Sequence, residues 1–250
     1  MDTPTERSPT EGGPTERSLE PRLTSRSIRS FVVRNGRLTR AQQQAVKTLL
    51  PQYGIPYSET PINPSTLFGR DAPVWMEIGF GNGDALLAMA TQNPDVNLIG
   101  VEIHTPGIGQ ALMGIKAAQL SNVRLIQHDA MDVLQNMLAP ASLAKVLLFF
   151  PDPWRKKRHH KRRIVQQEFL NTVASRLQSE GVLHCATDWA DYAKWMKHEF
   201  SVNPVFTNTA GSGSVAPRPD WRPLTRFEQR GHRLGHDVCD LIFKLEQTGS

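Results

Sequence analysis

The segment Phe149–Trp154 combines groups that could handle a nucleobase and its phosphates. It reads FFPDPW and leads into residues 155–163, RKKRHHKRR, which contain seven Lys or Arg and no acid. Two prolines stiffen the backbone around Asp152, the indole of Trp154 offers a face on which a base could stack, and a cationic run attracts a polyanion. The pattern indicates a site where a base meets a carboxylate while its phosphates are held. For the cationic run alone, a solvated face or a localisation signal is the alternative.

A glycine-rich turn and two acids form a second candidate set. Glu77 opens the sequence EIGFGNG, in which alternate glycines let the backbone turn tightly and approach a ligand. The spacing GxGxG differs from the GxGxxG of dinucleotide-binding turns, and a plain tight loop is the alternative. Glu102 could accept hydrogen bonds from two ribose hydroxyls, although both Glu102 and Asp129 could instead cap helices. The candidate ligand-binding residues are Glu77, Gly79, Gly81, Gly83, Glu102 and Asp129.

The charges of this set bear on the kind of ligand. A dinucleotide needs a seat for its pyrophosphate, which a nearby Lys or Arg would favour, but the turn carries Glu77 and Asp84 and no base. Carboxylates suit a cationic group instead. Because S-adenosyl-L-methionine carries an amine and a sulfonium, the residues favour this methyl donor over a nicotinamide dinucleotide.

Two later segments add polar candidates. Asp188 follows another apolar run, and residues 222–237, RPLTRFEQRGHRLGHD, contain four arginines with Thr225 and Glu228 between them. The two histidines of this segment are spaced as a metal could use. They have no acid between them as in HExxH, and the adjacent glycines disfavour a helix. We therefore expect phosphate contacts or structural hydrogen bonds here, and no metal.

The apolar pattern predicts the elements that must position these residues. Apolar runs indicate strands at Val74–Ile78, Asn97–Val101, Val123–Ile126, Lys145–Phe150, Val182–Ala186 and Val238–Leu245. Segments of helical composition follow the first five, at Asp84–Thr91, Gly107–Leu120, Met131–Leu138, Arg162–Gln178 and Trp189–Phe200. The alternation predicts a parallel sheet with helices on both faces. Ligands of such sheets bind beyond the carboxyl ends of the strands, where the candidate residues lie.

Composition and charge limit the class of protein. With 250 residues, 39% of them hydrophobic, the chain fits one globular domain. Residues 1–27 are rich in Pro, Ser, Thr and Glu and are expected to be a disordered low-complexity tail, which leaves residues 28–250 as the domain. Two cysteines that lie far apart, and the lack of a signal peptide or membrane span, favour the cytoplasm. Without the seven cations of the basic run, the net charge would change from +5 to −2, so the basic excess is one patch.

Several motifs together resemble the bacterial tRNA (guanine-N7)-methyltransferases, over about Arg29 to Phe243. The combination of PDPW, a KRR sequence and TRFEQRG is highly specific. The matching segments are RSFVVRNGRLT from Arg29, EIGFGNG from Glu77, GVEIHTPGIG from Gly100, HDA from His128, LFFPDPW from Leu148, KRRIVQ from Lys161, ATDW from Ala186 and TRFEQRGHRLGH from Thr225.

The resemblance implies a fold, a reaction and a set of site residues. The fold is the Rossmann-like class I methyltransferase α/β fold, a doubly wound, mostly parallel seven-stranded sheet with helices on both faces. The reaction is methyl transfer from S-adenosyl-L-methionine to N7 of guanine 46 in the tRNA variable loop. Apart from the resemblance, a monomer is expected, since no protein partner is evident from the sequence. Asp152 is then the active-site residue, and donor contacts come from Glu77, Glu102, Asp129 and Asp152. Contacts to tRNA come from Lys156, Asp188, Thr225, Arg226, Phe227 and Glu228, and from the run Arg158, His159, His160, Lys161, Arg162 and Arg163.

Other functions stay open at this point. A methyltransferase acting on another RNA would need the same features, whereas one acting on a small molecule would have little use for RKKRHHKRR. A non-catalytic RNA-binding protein with a vestigial donor pocket would not need all four acids. A nicotinamide oxidoreductase is disfavoured by the acidic GxGxG turn.

Overall fold

The computed structural model describes Ser30, residues 36–225, residues 228–229 and residues 237–246. The predicted tail, residues 1–27, lies outside the described residues, and so do Arg226, Phe227 and the two histidines His232 and His236. None of the described helices is both long and apolar enough to cross a membrane.

A seven-stranded mixed sheet forms the centre of the described structure. Its strands are β1 Val74–Ile78, β2 Asn97–Val101, β3 Val123–Ile126, β4 Leu143–Phe149, β5 Leu177–Thr187, β6 Phe206–Asn208 and β7 Cys239–Leu245. They lie in the order β3-β2-β1-β4-β5-β7-β6. Strands β1 to β5 pair in parallel, and β7 is antiparallel to both β5 and β6. The predicted mostly parallel, doubly wound sheet is confirmed.

Helices cover both faces of this sheet. They are α1 Arg40–Tyr53, α2 Pro64–Phe68, α3 Asp84–Gln92, α4 Thr105–Ala117, α5 Ala130–Asp132, α6 Gln167–Arg176 and α7 Ala190–Ser201. A π-helical stretch, Val133–Met137, continues α5, and the basic run contains a 3-10 helix, Lys157–Arg162. Buried residues of α6 and α7 pack on one face of the sheet, and those of α1, α3 and α4 pack on the other.

Alternate residues of the strands divide the core between the two faces. In β1, Met76 and Ile78 belong to one buried cluster and Trp75 to the other. In β4, Val146 and Leu148 face the first cluster, while Leu147 and Phe149 belong to the second. Because strand side chains alternate between faces, a strand covered on both sides is apolar throughout.

Several predicted elements have other bounds in the structure, and the differences are largest for one helix and one strand. The helix expected at Arg162–Gln178 begins only at Gln167, because the residues before it form the 3-10 helix and a connecting turn. The strand expected at Val182–Ala186 runs from Leu177 to Thr187 as β5. Its first half contains exposed polar residues, which an apolar-run criterion does not include.

Candidate active site

A cavity of about 350 Å³ lies beyond the carboxyl ends of β1 to β4. Neighbouring strands β1 and β4 continue to opposite sides of the sheet, so this is the point where the strand order reverses. Sheets of this kind bind ligands at such a point. The residues lining the cavity are Ser30, Ile78, Gly79, Val101, Glu102, Ile103, His104, His128, Asp129, Ala130, Leu148, Phe149, Phe150, Pro151, Asp152 and Ile164.

The glycine-rich turn after β1 needs its glycines for conformation and for space. Gly79, Gly81 and Gly83 have φ of 72°, 56° and 86°, in the left-handed region that favours glycine. The start of α4 packs against this turn, since a Cβ on Gly107 would lie 2.2 Å from the Gly81 carbonyl oxygen. Only Gly79 of the three lines the cavity.

The carboxylate of Glu102 joins this turn to the end of β2. Its Oε2 accepts a hydrogen bond from the Gly81 N–H at 2.9 Å. Its Oε1 accepts from the N–H groups of Ile103 and His104, at 2.8 and 2.9 Å. Since each carboxylate oxygen has two lone pairs, Oε2 keeps capacity for a further donor. Glu102 therefore shapes the local backbone and lines the cavity at the same time.

Glu77 is a buried carboxylate next to the cavity rather than in its lining. It is 3% exposed, and it precedes the lining residues Ile78 and Gly79. Burial, reinforced by the charge of Glu102, raises the pKa of Glu77 to about 8. No described residue donates a hydrogen bond to its Oε2. An unsatisfied buried carboxylate oxygen is costly, and a cationic or hydrogen-bond-donating ligand would relieve that cost.

Asp129 follows β3 and lines the same cavity as Glu102. Its Oδ1 accepts a hydrogen bond from the Met131 N–H at 2.9 Å, so it caps α5. The neighbouring His128 is stacked on Tyr57, with ring centroids 3.7 Å apart, and its Nε2 lies 3.1 Å from Asp132. Helix capping and cavity lining thus coexist in Asp129.

Asp152 is an exposed residue of the cavity lining, in the loop after β4. Phe150 and Trp154, on either side of it, have φ of 51° and 47°. Left-handed backbone costs a bulky residue on the order of 1–3 kcal/mol, so the surrounding structure must hold it. One such contact is the hydrogen bond that the Phe150 N–H donates to the Ala186 carbonyl at 2.8 Å. The loop that carries Asp152 is therefore hydrogen-bonded to the carboxyl end of β5.

Trp154 makes several contacts within the protein while it stays half-buried. The Arg162 guanidinium lies 4.2 Å from the centre of its ring, and His159 meets it edge-on. Its Nε1–H donates to the Ser30 carbonyl at 3.1 Å. Trp154 does not line the cavity. It links Ser30, which lines the cavity, to Arg162 of the basic run. The stacking role suggested by sequence stays a prediction.

Of the seven Lys and Arg residues of the basic run, five are exposed to solvent, one is half-buried and one is buried. Exposed cations are Arg155, Lys156, Lys157, Arg158 and Lys161. Arg163, which sequence placed among the RNA-binding residues, is only 1% exposed. Its guanidinium donates to the Pro153 carbonyl at 3.0 Å and to Asp191 at 2.5 Å. That prediction is wrong for Arg163, because the side chain is used to anchor the loop and is not available to RNA.

His160 and Asp191 complete this anchor beneath the run. The hydrogen bond from Arg163 lowers the pKa of Asp191 below its ordinary value. His160 is half-buried, with its Nε2 3.9 Å from Asp191 and its ring against Trp195. Sequence reasoning missed Asp191, since nothing in its local sequence marks it as the partner of an arginine 28 positions away.

The remaining predicted substrate residues divide into two groups. Asp188 and Thr225 are half-buried, whereas Arg226 and Phe227 lie outside the described residues. Glu228, expected to contact tRNA, is 2% exposed, and its two oxygens accept from the Arg222 guanidinium at 2.6 and 2.8 Å. Its side chain is thus a buried ion-pair partner, which corrects the sequence-based role.

Comparisons with known proteins agree with this arrangement. Residues 71–241, more than half of the chain, match a family described as "Putative methyltransferase". A tRNA (guanine-N(7)-)-methyltransferase of Shewanella sp. (strain MR-4) is 52% identical over 219 residues, covering 88% of this chain and 92% of the relative. One of the same name from Aeromonas hydrophila subsp. hydrophila has the same identity and coverage.

Solved structures match the fold at low identity. The 16S rRNA methyltransferase KamB gives a TM-score of 0.53 at 16% identity, over 73% of this chain and 92% of that protein. An antibiotic-related methyltransferase gives 0.50 at 14% identity, over 74% and 94%. These likenesses confirm the Rossmann-like class I methyltransferase fold and carry nothing about substrate.

Proposed function

The chain belongs to the tRNA (guanine-N7)-methyltransferase family, and from that premise we propose that it transfers a methyl group from S-adenosyl-L-methionine to N7 of guanine 46 in the tRNA variable loop. The observation that carries the proposal is the grouping of Glu102, Asp129 and Asp152 around one cavity at the reversal point of the sheet. The exposed cations of the basic run begin three residues after Asp152. A cavity for a nucleoside donor thus adjoins a surface for a polyanion.

The charges around the cavity fit a cationic donor. Of the described residues that line it, none is Lys or Arg, and three are acids. The buried Oε2 of Glu77, next to the lining residue Ile78, has no hydrogen-bond donor among the described residues. We assign donor contacts to Glu102, Asp129 and Asp152, with the Gly79 turn beside them, because these carboxylates favour an amine and a sulfonium over a pyrophosphate. Glu77 is assigned a donor contact as well, because its Oε2 would accept a hydrogen bond from the ligand. When bound there, S-adenosyl-L-methionine supplies a methyl group on a positively charged sulfur.

Guanine N7 has a lone pair and no proton at neutral pH, so no general base is needed to expose the nucleophile. Catalysis then rests on positioning. The purine becomes more positive as its N7 is alkylated, and a nearby carboxylate stabilises that charge. We assign both tasks to Asp152, which orients the guanine edge and offsets the new charge, without a proton transfer.

The tRNA surface in this proposal consists of the exposed cations, with Lys156, Arg158 and Lys161 as its centre. The proposal includes Thr225 and Asp188, both half-buried, as substrate contacts, and the resemblance adds Arg226, Phe227, His159, His160 and Arg162. Lifting a loop base out of its stack costs a few kcal/mol, which phosphate contacts offset. The proposal also includes a monomer acting in the cytoplasm, with residues 28–250 as its catalytic domain and residues 1–27 outside it.

The direct test is to incubate unmodified tRNA with methyl-labelled donor, digest the product and identify the labelled nucleoside. We expect 7-methylguanosine as the labelled product, mapped to the variable loop. Label in another nucleoside, or at another guanine, would refute the proposed specificity. Transfer to small acceptors but not to tRNA would refute the RNA substrate altogether.

A further inference from the structure

A network of buried polar side chains lies behind the wall of the cavity and belongs to no assigned site. Arg222 is 1% exposed, Glu228 2%, Asp240 3% and His184 0%. Arg222 and Glu228 belong to the C-terminal segment, the part of the chain between β6 and β7, while His184 lies in β5 and Asp240 in β7. The network therefore joins that segment to the sheet.

Arg222 lies at the centre of this network and bridges two carboxylates. Its Nη1 and Nη2 donate to Glu228 at 2.6 and 2.8 Å. Its Nε and Nη2 donate to Asp240 at 2.6 and 2.8 Å. Although burial lowers the pKa of Arg222, these two carboxylates raise it above its ordinary value. Paired bidentate bonds fix the position and the plane of both carboxylates, which a lysine could not do.

The sheet end of the network has one defined arrangement of protons. The Trp221 indole N–H, which can only donate, points to His184 Nδ1 at 3.3 Å. His184 Nε2 then carries the proton and donates to Asp240 Oδ1 at 2.7 Å. Burial lowers the pKa of His184, in keeping with this neutral form. Next to this end of the network, the Lys145 ammonium lies 3.7 Å from the Trp221 ring centre.

Two parts of the proposed site lie next to this network, namely the substrate contact Thr225 and the aromatic residues before Asp152. The Glu228 N–H donates to Thr225 Oγ1 at 3.3 Å, so Glu228 is hydrogen-bonded to the proposed substrate contact Thr225. The Arg222 guanidinium carbon lies 6.0 Å from the ring centres of both Phe149 and Phe150. Both aromatic residues line the cavity, and Phe150 is two positions before Asp152. Arg222 thus hydrogen-bonds the partner of Thr225 and lies near the aromatic residues that precede Asp152.

We propose that Arg222 is a positioning residue for methyl transfer, which, through Glu228, holds Thr225 in a fixed position relative to the loop that carries Asp152. The inference rests on the proposed function in so far as Thr225 contacts tRNA. A buried ion pair adds little stability over apolar side chains of similar size, whereas it does define one geometry. If these supporting ion pairs are disturbed, the groups that bind the substrate are still present, but they are no longer aligned with one another.

The test compares Arg222→Lys and Glu228→Gln with the unmodified enzyme. The measurements are kcat and KM for tRNA, the Kd for the methyl donor, and the melting temperature. We expect each variant to raise the KM for tRNA about tenfold and to lower kcat, while the donor Kd changes less than about twofold. The donor Kd also reports that the variants remain folded.

Arg176→Lys is the matched control. Arg176 donates to the carbonyls of Leu134 and Gln135 at 2.6 and 3.1 Å and does not line the cavity, so its replacement should lower the melting temperature and leave KM unchanged. The same pattern in Arg222→Lys and Glu228→Gln would show a structural role only and overturn the inference.

Thr225→Ala separates this inference from the proposed function. If it leaves the KM for tRNA unchanged, Thr225 does not contact tRNA, and the proposed substrate contact fails together with the inference. If it raises KM while Arg222→Lys does not, the substrate contact stands and the positioning role of Arg222 alone is refuted. An increase in both supports the inference.

Discussion

Asp152 occupies a loop whose conformation is set by its neighbours rather than by its own contacts. The left-handed backbone at Phe150 and Trp154 and the prolines on both sides give the carboxylate a narrow range of positions. For a displacement that needs no proton transfer, such alignment is the largest contribution a side chain can make. In the proposed reaction, the charge of Asp152 also stabilises the alkylated purine.

Replacing Asp152 by Asn removes the charge and keeps the size of the side chain. We expect kcat to fall about 10²–10³-fold, because electrostatic stabilisation and orientation of the guanine are both removed. The donor Kd should increase less than about tenfold, since Glu102 and Asp129 remain at the cavity. Initial-rate assays with labelled donor measure kcat, and calorimetric titration with the donor measures its Kd. Near-normal turnover of Asp152→Asn would refute the assigned role.

Glu77 gives the protein a pH-dependent stability with a definite sign. Burial raises the pKa of Glu77 from 4.5 in the unfolded chain to about 8 in the native protein. Between these two pKa values the native protein keeps Glu77 protonated, whereas the unfolded chain has released the proton. The contribution of neutral Glu77 to the free energy of unfolding is therefore complete below the unfolded pKa and is lost as the pH rises through about 8. Ionised Glu77 costs the native state on the order of a few kcal/mol at pH 9.

Glu77→Gln should remove this dependence. We expect the free energy of unfolding of the unmodified protein to fall, relative to that of Glu77→Gln, between pH 5 and pH 9, as measured by urea denaturation. Glu59→Gln, which alters an exposed carboxylate, should run parallel to the unmodified protein. A constant difference between Glu77→Gln and the unmodified protein across this range would contradict a buried, proton-binding Glu77.

At the scale of elements, the close approach of α4 to the glycine-rich turn fixes one side of the cavity. The helix reaches the turn at Gly107 and crosses Leu87 at Gly114, where a Cβ would lie 2.3 Å from a side-chain methyl. A leucine side chain can change rotamer to make room for a Cβ, whereas the backbone carbonyl of Gly81 cannot move without displacing the turn. The turn therefore depends on Gly107 in a way that it does not depend on Gly114.

Gly107→Ala and Gly114→Ala test this dependence within one helix. The first change should displace the turn and weaken donor binding about tenfold or more, since overpacking costs about 1–3 kcal/mol. The second should leave the donor Kd within about twofold, because Leu87 can change rotamer. Calorimetric titration with the donor measures both. Equal donor affinities of the two variants would show that the turn does not shape the site.

The 3-10 helix Lys157–Arg162 presents the basic run, and its exposed cations are expected to meet tRNA phosphates. Neutralising Arg158 and Lys161 to Gln should raise the KM for tRNA. It should also reduce the slope of log affinity against log salt, by about one unit for each phosphate that the protein no longer neutralises. Neutralising the exposed Lys47 and Lys116 is the control for net charge. An unchanged slope in the first variant would place the RNA surface elsewhere.

How far sequence predicts this structure depends on how local each signal is. The bounds of β1, β2 and β3 follow from continuous apolar runs, because strands buried on both faces contain little else. Strand β6 was missed because it has three residues, of which only Phe206 is buried. Helix α1 was missed because only Ala45 and Leu49 of its residues are buried, so its apolar stripe is thin.

The site residues show the same division. The cavity acids were found because strand ends mark them, whereas the roles of Arg163 and Glu228 were mistaken. A charged residue in a sequence does not reveal whether its partner is solvent, RNA or a buried opposite charge. Arg163 pairs with Asp191 and Glu228 with Arg222, and only the packing of the C-terminal segment and the loops creates these pairs.

At the scale of the whole molecule, a donor cavity and a cationic surface meet at one edge of the sheet. Asp152 belongs to both, since it lines the cavity and closely precedes the basic run. The buried network around Arg222 extends this edge to the last strand of the chain, β7. A methyl group and a purine brought to Asp152 from opposite sides would need no further catalytic group.

The most direct measurement of this claim uses two tRNA transcripts that differ in one atom position. One carries guanine at position 46 and the other carries 7-deazaguanine there, which keeps the shape of the base and replaces N7 by a C–H group. We predict that labelled donor methylates the first transcript and not the second, while both bind with similar affinity. Equal labelling of the two transcripts would contradict the account.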